Sequence, residues 1–244
     1  MRQTQLIMGM PITIILPDGS PADYEASFAR FRQIDERFST YKSSSEISRL
    51  NAGLITRAQL SGEMSFILQE CERTTQETSG YFDIHHDGQL DPSGLVKGWA
   101  IWQVAKLLEA RNSRHFCISA GGDMQLSGHN EAGEPWEVGI RNPFNHQEII
   151  KQLRLTDVGV ATSGTDARGQ HIYNPFFPGT PLEEVASLTV IAPTIYDADR
   201  FATAAFAMGS AGISFIESRQ GLEGYMINNE GIATFTSGFE HYVA

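Results

Sequence analysis

Two oxygen-bearing side chains stand four residues apart in an alanine-rich run near the end of the chain. Asp199 and Thr203 belong to the segment 197–206, and a spacing of four places both side chains on one face of a helix. A carboxylate and a hydroxyl are hard oxygen donors of the kind that Mg²⁺ prefers, with water and substrate phosphate completing its octahedron. On spacing alone, an ordinary helix is the favoured interpretation, because the helix dipole stabilises an early Asp and a Thr often bonds back to a carbonyl.

A second candidate segment, residues 90–100, runs from a loop into a predicted helix start. Free N–H groups at such a start bind anions, Lys97 adds positive charge, and Gly94 permits close approach of its backbone to a ligand. The Walker spacing that ends in Lys-Ser or Lys-Thr is absent from the segment, so it is not a P-loop. The alternative interpretation is a capped helix that binds nothing.

Histidines provide a third set of candidates. His85 and His86 are adjacent, and adjacent strand residues point to opposite faces, so the pair cannot easily share one ion and a polar loop tip is predicted. His171 opens a predicted short strand that follows the polar turn at residues 162–164. Its imidazole is a candidate acid or base, although most histidines in proteins are merely hydrogen-bonded.

The composition narrows the classes of protein that remain. Lysine plus arginine total 18 against 29 aspartate plus glutamate, for a net charge of −11, which would repel a nucleic-acid backbone. Cys71 and Cys117 are too few for a disulfide framework and are not spaced as a zinc site, so two buried thiols are expected. No apolar run approaches the ~18 residues of a membrane span, and the first residues carry no signal-peptide pattern. A cytoplasmic protein that binds no nucleic acid and has no membrane span in this chain is predicted, with a trimmed leader left open.

Helices and strands alternate irregularly along the chain. Apolar side chains spaced by three and four predict a helix over 21–38, and a Ser61 cap begins a second helix that stops at Gly80. Further helices are predicted over 94–110 and 197–208. Strands are predicted at 115–119, around 124–126 and 136–140, and at 158–162, 171–173, 187–191, 225–228 and 232–236. This order predicts an α+β fold, a single compact domain over residues 1–244 with mainly antiparallel sheets and packed helices.

Seven short segments, individually weak, occur in the order found in one protein family. They are Met8-Gly9-Met10, residues 37–42 with 45–51, residues 91–98, Ala120-Gly121-Gly122-Asp123, residues 161–164, His171-Ile172-Tyr173-Asn174-Pro175, and residues 199–204 with Gly209. Together they resemble the ApbE family of FAD:protein FMN transferases over nearly the whole chain.

The resemblance implies an α+β fold of the T-fold type and a Mg²⁺-dependent reaction. FAD would be the donor, a threonine hydroxyl of a partner flavoprotein would attack the FMN phosphorus, and AMP would leave. Carried over by position, Asp199 and Thr203 would hold the metal together with the main-chain carbonyl of Gly94. The positions that would contact FAD are Met8, Tyr41, Asp91, Lys97 and Ile172. His171 would be a third catalytic residue beside Asp199 and Thr203, accepting the threonine proton or bonding the phosphate.

Three positions depart from the family pattern. Met10 replaces a threonine, Trp102 stands where an Asp is common, and the stretch 82–88 reaches Asp91 sooner than usual. The shortened stretch predicts a more open flavin pocket, whereas the phosphate and metal end matches the family. Two alternatives therefore stay open, a Mg²⁺-dependent FAD pyrophosphatase in which water replaces the threonine, and a flavin-binding module without catalysis. A tyrosine packed in the core is the alternative interpretation of Tyr41.

Overall fold

An eight-stranded antiparallel sheet forms the centre of the structure, a computed structural model that describes residues 1–86, 88–164, 172–177 and 179–244. In spatial order its strands are β1 (Arg2–Ile7), β2 (Met10–Ile15), β5 (Phe116–Ala120), β6 (Asp123–Ser127), β9 (Gly159–Gly164), β10 (Val185–Ala192), β11 (Glu223–Asn228) and β12 (Ala233–Phe235). Two separate hairpins, β3 (His85–His86) with β4 (Gln89–Leu90) and β7 (Trp136–Asn142) with β8 (Asn145–Leu155), complete the strands of the described residues.

Six α-helices accompany the strands within the described ranges. They are α1 (Pro21–Phe38), α2 (Glu46–Asn51), α3 (Gly62–Glu77), α4 (Ser93–Ala110), α5 (Ile195–Ala207) and α6 (Gly212–Glu217). The most extensive helix contact joins α4 to α5, and α5 also packs on β9 and β10. Consequently α5 lies between another helix and the sheet, which is why most of its side chains are buried.

The sheet is covered on both faces. Val190 of β10 belongs to the main core with the helices, whereas its neighbour Ile191 belongs to a second core beneath the β7–β8 hairpin. Ala161 and Val160 of β9 divide in the same way, as the two-residue period of a strand requires. Every residue of β10 is therefore buried, and the strand is apolar along nearly its whole length rather than alternating with polar residues.

These observations confirm the α+β prediction and most of its elements. The helix over 21–38 has the predicted bounds, and the other predicted helices differ by a few residues at their ends. The helix that begins after Ser61 ends at Glu77 rather than Gly80, because Ser79 and Gly80 adopt positive φ angles of 53° and 90°. Within the part of the chain that the structure describes, no helix is long and apolar enough to cross a membrane.

Two local predictions were wrong. His85 and His86 form the first strand of the short β3–β4 hairpin rather than only a loop tip. Of the strand predicted at 171–173, His171 lies outside the described residues, and Ile172 and Tyr173 have no strand conformation. The strands β1, β2 and β8 and the helices α2 and α6 were not predicted.

The capping box at the start of α1 is expected to make stability depend on pH. The Ser20 hydroxyl and N–H donate to Asp23 Oδ2 at 2.7 and 2.9 Å, and Arg111 Nε donates to Asp23 Oδ1 at 2.6 Å. These bonds hold the pKa of Asp23 at about 2, below its ordinary value of 3.8. An acid with a lowered pKa contributes stability that is fully present above its unfolded-state pKa and is lost as the pH falls towards its folded-state pKa.

Asp23→Asn is therefore expected to lower the free energy of unfolding by about 1 kcal/mol at neutral pH. The difference from the wild type should close between about pH 4 and about pH 2, where the wild-type carboxylate becomes protonated. Urea denaturation followed by circular dichroism measures both quantities. Asp18→Asn, at an exposed position, is the matched control and should change stability by less than about 0.5 kcal/mol. A difference that does not vary with pH would contradict the expectation.

Candidate active site

A cavity of about 410 Å³ opens where the first turns of α4, the middle of α5 and the end of β9 meet. This volume lies within the range typical of small-molecule sites. Its lining includes most of the residues that the sequence predicts for the site, namely Tyr41, Asp91, Gly94, Lys97, Ile172, Asp199 and Thr203. Segments that are far apart in the sequence therefore converge on one cavity.

One described residue of the predicted site, Met8, is not among the lining residues. Met8, with a positive φ of 56°, is half-buried and packs against the main core rather than lining the cavity. Met8 lies in the turn between β1 and β2, and its predicted contact with the cofactor stays a prediction. His171 lies outside the described residues, and its predicted role stays a prediction.

Gly98 on α4 allows that helix to approach α5 closely, and Gly94 lies on the same face. A Cβ atom added to Gly98 would lie 2.6 Å from Asp199 Cβ and 2.8 Å from the carbonyl oxygen of Ile195. One added to Gly94, a turn earlier, would meet Thr203 Cγ2 at 3.4 Å. Gly94 and Gly98 thus face Asp199 and Thr203, and this contact brings the backbone of α4 to the two oxygen donors of α5.

Gly98→Ala is expected to lower the free energy of unfolding by about 1–3 kcal/mol, the usual cost of overpacking a tight contact. Because the added methyl group would displace Asp199, catalytic activity should fall as well. Thermal denaturation and an activity assay measure the two effects. Gly62→Ala is the matched control, since a Cβ there would meet no atom within 4 Å. Equal behaviour of the two variants would show that the contact between α4 and α5 is not tight.

Lys97 and Asp199, which line the cavity, form a charged cluster with the buried Asp123. Lys97 Nζ lies 3.1 Å from Asp199 Oδ1 and also pairs with Asp123 Oδ2. The backbone N–H of Gly98 donates to Asp199 Oδ2 at 2.7 Å. Burial raises the pKa of Asp199 well above its usual range, Lys97 opposes the rise, and Asp123 adds to it. Burial thus makes the ionised form of Asp199 costly, and a further positive charge beside it would lower that cost.

Asp123 is a site residue that the sequence reasoning missed. It follows Gly121-Gly122 in one of the family-like segments, but no role is assigned to it from the sequence. The structure places its carboxylate at the start of β6, where it is 1% exposed. An aspartate that directly follows a predicted glycine turn was the available signal, but its partner Lys97 lies too far away in sequence for a local pattern to show.

One side of the cavity is aromatic. Its rings come from Tyr81, Phe82, His86 and Tyr173. The Tyr173 hydroxyl donates to the carbonyl of His85 at 2.8 Å, and the rings of Tyr173 and His86 lie 5.5 Å apart. The shortened stretch 82–88 therefore still supplies part of the wall and is fastened to the segment that carries Tyr173.

Tyr41 stands at the mouth of the cavity with 97% of its surface exposed. The alternative that this tyrosine is packed in the core is therefore wrong. An exposed ring at the opening can stack on a planar ligand that enters the cavity.

The donor set fits a magnesium ion. Among the described residues no group of three or more His, Cys, Asp or Glu side chains is arranged as a metal site. Mg²⁺ instead takes one or two carboxylates, neutral oxygens and water. Asp199, the Thr203 hydroxyl and the Gly94 carbonyl are oxygen donors of this kind, and a cation beside Asp199 would lower the cost of burying its charge.

Comparison with solved structures first gives the fold. The Flavin Transferase ApbE from Vibrio cholerae has a TM-score of 0.86 and 22% identity, covering 99% of this chain and 98% of the other, so the two chains share one fold. The ApbE protein from Thermotoga maritima has a TM-score of 0.89 and 18% identity, covering 100% and 99%.

The family follows from the sequence. The ApbE family model matches residues 8–88 and 84–226, and the chain belongs to the ApbE family. The FAD:protein FMN transferase of Haemophilus influenzae is 24% identical over 89% of this chain and 82% of the relative. The FAD:protein FMN transferase of Escherichia coli K12 is 31% identical over 59% of this chain and 44% of the relative. This second alignment therefore spans less than half of the Escherichia coli protein.

Proposed function

We propose that this chain is a transferase that moves FMN from FAD to a threonine hydroxyl of a partner flavoprotein and releases AMP, with Mg²⁺ as the cofactor. The observation that carries the proposal is the convergence of Asp199, Thr203 and Gly94 on one cavity with Lys97. Family membership and the names of the relatives, FAD:protein FMN transferases, support the same activity.

Different residues of the cavity bind different parts of FAD. Asp199, Thr203 and the Gly94 carbonyl hold Mg²⁺, which supplies neutralisation of the diphosphate charge when it is bound. The ammonium of Lys97 binds a phosphate oxygen, and the N–H groups in the first turn of α4 favour the same anion. The aromatic wall and Tyr41 receive the planar rings of the dinucleotide.

The transfer needs one bond to form and one to break. The acceptor oxygen bonds to the FMN phosphorus, the bond from that phosphorus to the bridging oxygen breaks, and AMP leaves with that oxygen. The hydroxyl proton passes to a base, for which His171 is the proposed residue. Phosphoryl transfer requires alignment and charge neutralisation more than covalent chemistry from the protein, and the Lys97 and Asp199 positions provide both.

The test is to incubate the chain with FAD, Mg²⁺ and candidate flavoproteins. In-gel fluorescence and mass spectrometry should detect FMN on a threonine of the acceptor, and chromatography should detect an equal amount of AMP. AMP without a labelled protein would overturn the transfer and favour the FAD pyrophosphatase. FAD binding with neither product would favour a binding module without catalysis.

A further inference from the structure

A second buried carboxylate beside Lys97 has no part in the proposed Mg²⁺ donor set. Asp123 begins β6 and is 1% exposed. The backbone N–H of Thr162 on β9 donates to Asp123 Oδ1 at 3.0 Å, and Asp123 Oδ2 faces Lys97 Nζ. One oxygen of Asp123 is thus fixed to the sheet while the other holds the lysine, although burying a carboxylate is costly.

Lys97 competes for the carboxylate that the proposed cation needs. Its ammonium lies 3.1 Å from Asp199 Oδ1, and the other oxygen of Asp199 accepts the N–H of Gly98. If Lys97 had Asp199 as its one carboxylate partner, the pair would be neutral and would attract a cation weakly. With Asp123 included, the three groups sum to one negative charge, because two carboxylates outweigh one ammonium.

We propose that Asp123 is a positioning residue that holds the Lys97 ammonium against the sheet and thereby leaves Asp199 available to a divalent cation. The inference rests on the proposed function, since it concerns the same cation. It assigns Asp123 no direct contact with FAD or with the metal. Asp123 acts through Lys97, and its effect is on the affinity of the site for the cation.

The test measures Mn²⁺ binding to the full chain in the absence of FAD, with free Mn²⁺ followed by electron paramagnetic resonance. Asp123→Asn keeps an oxygen for the Thr162 N–H but releases Lys97 to Asp199, so the dissociation constant should rise by about tenfold, as for the loss of one charge-assisted hydrogen bond. In the double variant Asp123→Asn with Lys97→Met, the net charge of the three positions returns to −1. Mn²⁺ affinity should then recover to near the wild-type value.

Recovery of Mn²⁺ affinity in the double variant would distinguish a positioning role of Asp123 from a role as a metal ligand or as support for the fold. A double variant as weak as Asp123→Asn would overturn the proposal, because Asp123 would then act as a ligand or support the fold. Unchanged Mn²⁺ binding in Asp123→Asn would also overturn it. Thr189→Val is the matched control, since Thr189 is buried in the same sheet and bonds the Thr162 hydroxyl at 2.8 Å; it should leave Mn²⁺ binding unchanged.

A second measurement is the dissociation constant of FAD in the presence of EDTA. Asp123→Asn should change the FAD dissociation constant by less than about threefold, because Lys97 keeps its charge within the cavity. Parallel loss of FAD binding, Mn²⁺ binding and thermal stability would instead indicate a structural role and overturn the proposal. Failure of the proposed function is seen separately, as a wild-type chain that binds no Mn²⁺ or labels no acceptor.

Discussion

Asp199→Asn is expected to reduce the rate of AMP release from FAD by about 1,000-fold or more. A fall of this size corresponds to losing several kcal/mol of transition-state stabilisation, because charge in the transition state is no longer neutralised. Asparagine keeps the size of the side chain and an acceptor for the Gly98 N–H, but it removes the charge that attracts the cation. High concentrations of Mg²⁺ should not restore the rate, because no other donor in the proposed set is anionic.

The stability of the Asp199→Asn variant should not fall with its activity. Burial raises the pKa of Asp199, so the ionised carboxylate is a costly group in the folded chain, and a neutral amide avoids that cost. Asp197→Asn, two residues earlier on the same helix, is the matched control. Asp197 pairs with Arg200 at 2.9 Å, and its loss should affect thermal stability more than catalysis. Comparable loss of activity in both variants would argue against a specific role for Asp199.

Thr203→Val should reduce the rate by about 100-fold at limiting Mg²⁺, since one ligand of a metal site is lost while the shape of the side chain is retained. In contrast to the Asp199 variant, high Mg²⁺ should recover much of the rate, because water can replace a neutral ligand. Titration of AMP release against Mg²⁺ separates the two behaviours. Thr203→Ser keeps the hydroxyl and should stay close to the wild type. A valine variant with unchanged Mg²⁺ dependence would remove Thr203 from the donor set.

Local sequence patterns were sufficient to predict the helices and strands whose two faces differ sharply in polarity. The helix α1 buries side chains every third and fourth residue, from Tyr24 to Phe38, and its bounds were predicted from that spacing. The strand β1 escaped prediction because, as the outer strand of the sheet, it exposes most of its side chains. The strand β8 is likewise exposed over its first residues, so neither strand carries an apolar alternation.

The candidate site was partly predictable for a different reason. Asp199 and Thr203 could be paired because a helix period relates them, and Lys97 and Gly94 because they begin one predicted helix. The contact between Gly98 and Asp199 joins residues 101 positions apart, and that of Lys97 with Asp123 crosses from a helix to the sheet. Such contacts depend on packing rather than on local sequence, and composition and spacing could not supply them.

The close contact of Gly94 and Gly98 with α5 has a consequence for which ions the site accepts. Gly94 lies on α4 and Asp199 and Thr203 lie on α5, so two packed helices rather than a loop carry the proposed oxygen donors. Calcium needs longer bonds and more ligands than magnesium, and a flexible loop usually provides them. Donors held by two packed helices have little room to move apart, so we expect the site to select ions by their radius. Magnesium and manganese should support turnover, and calcium should occupy the site poorly.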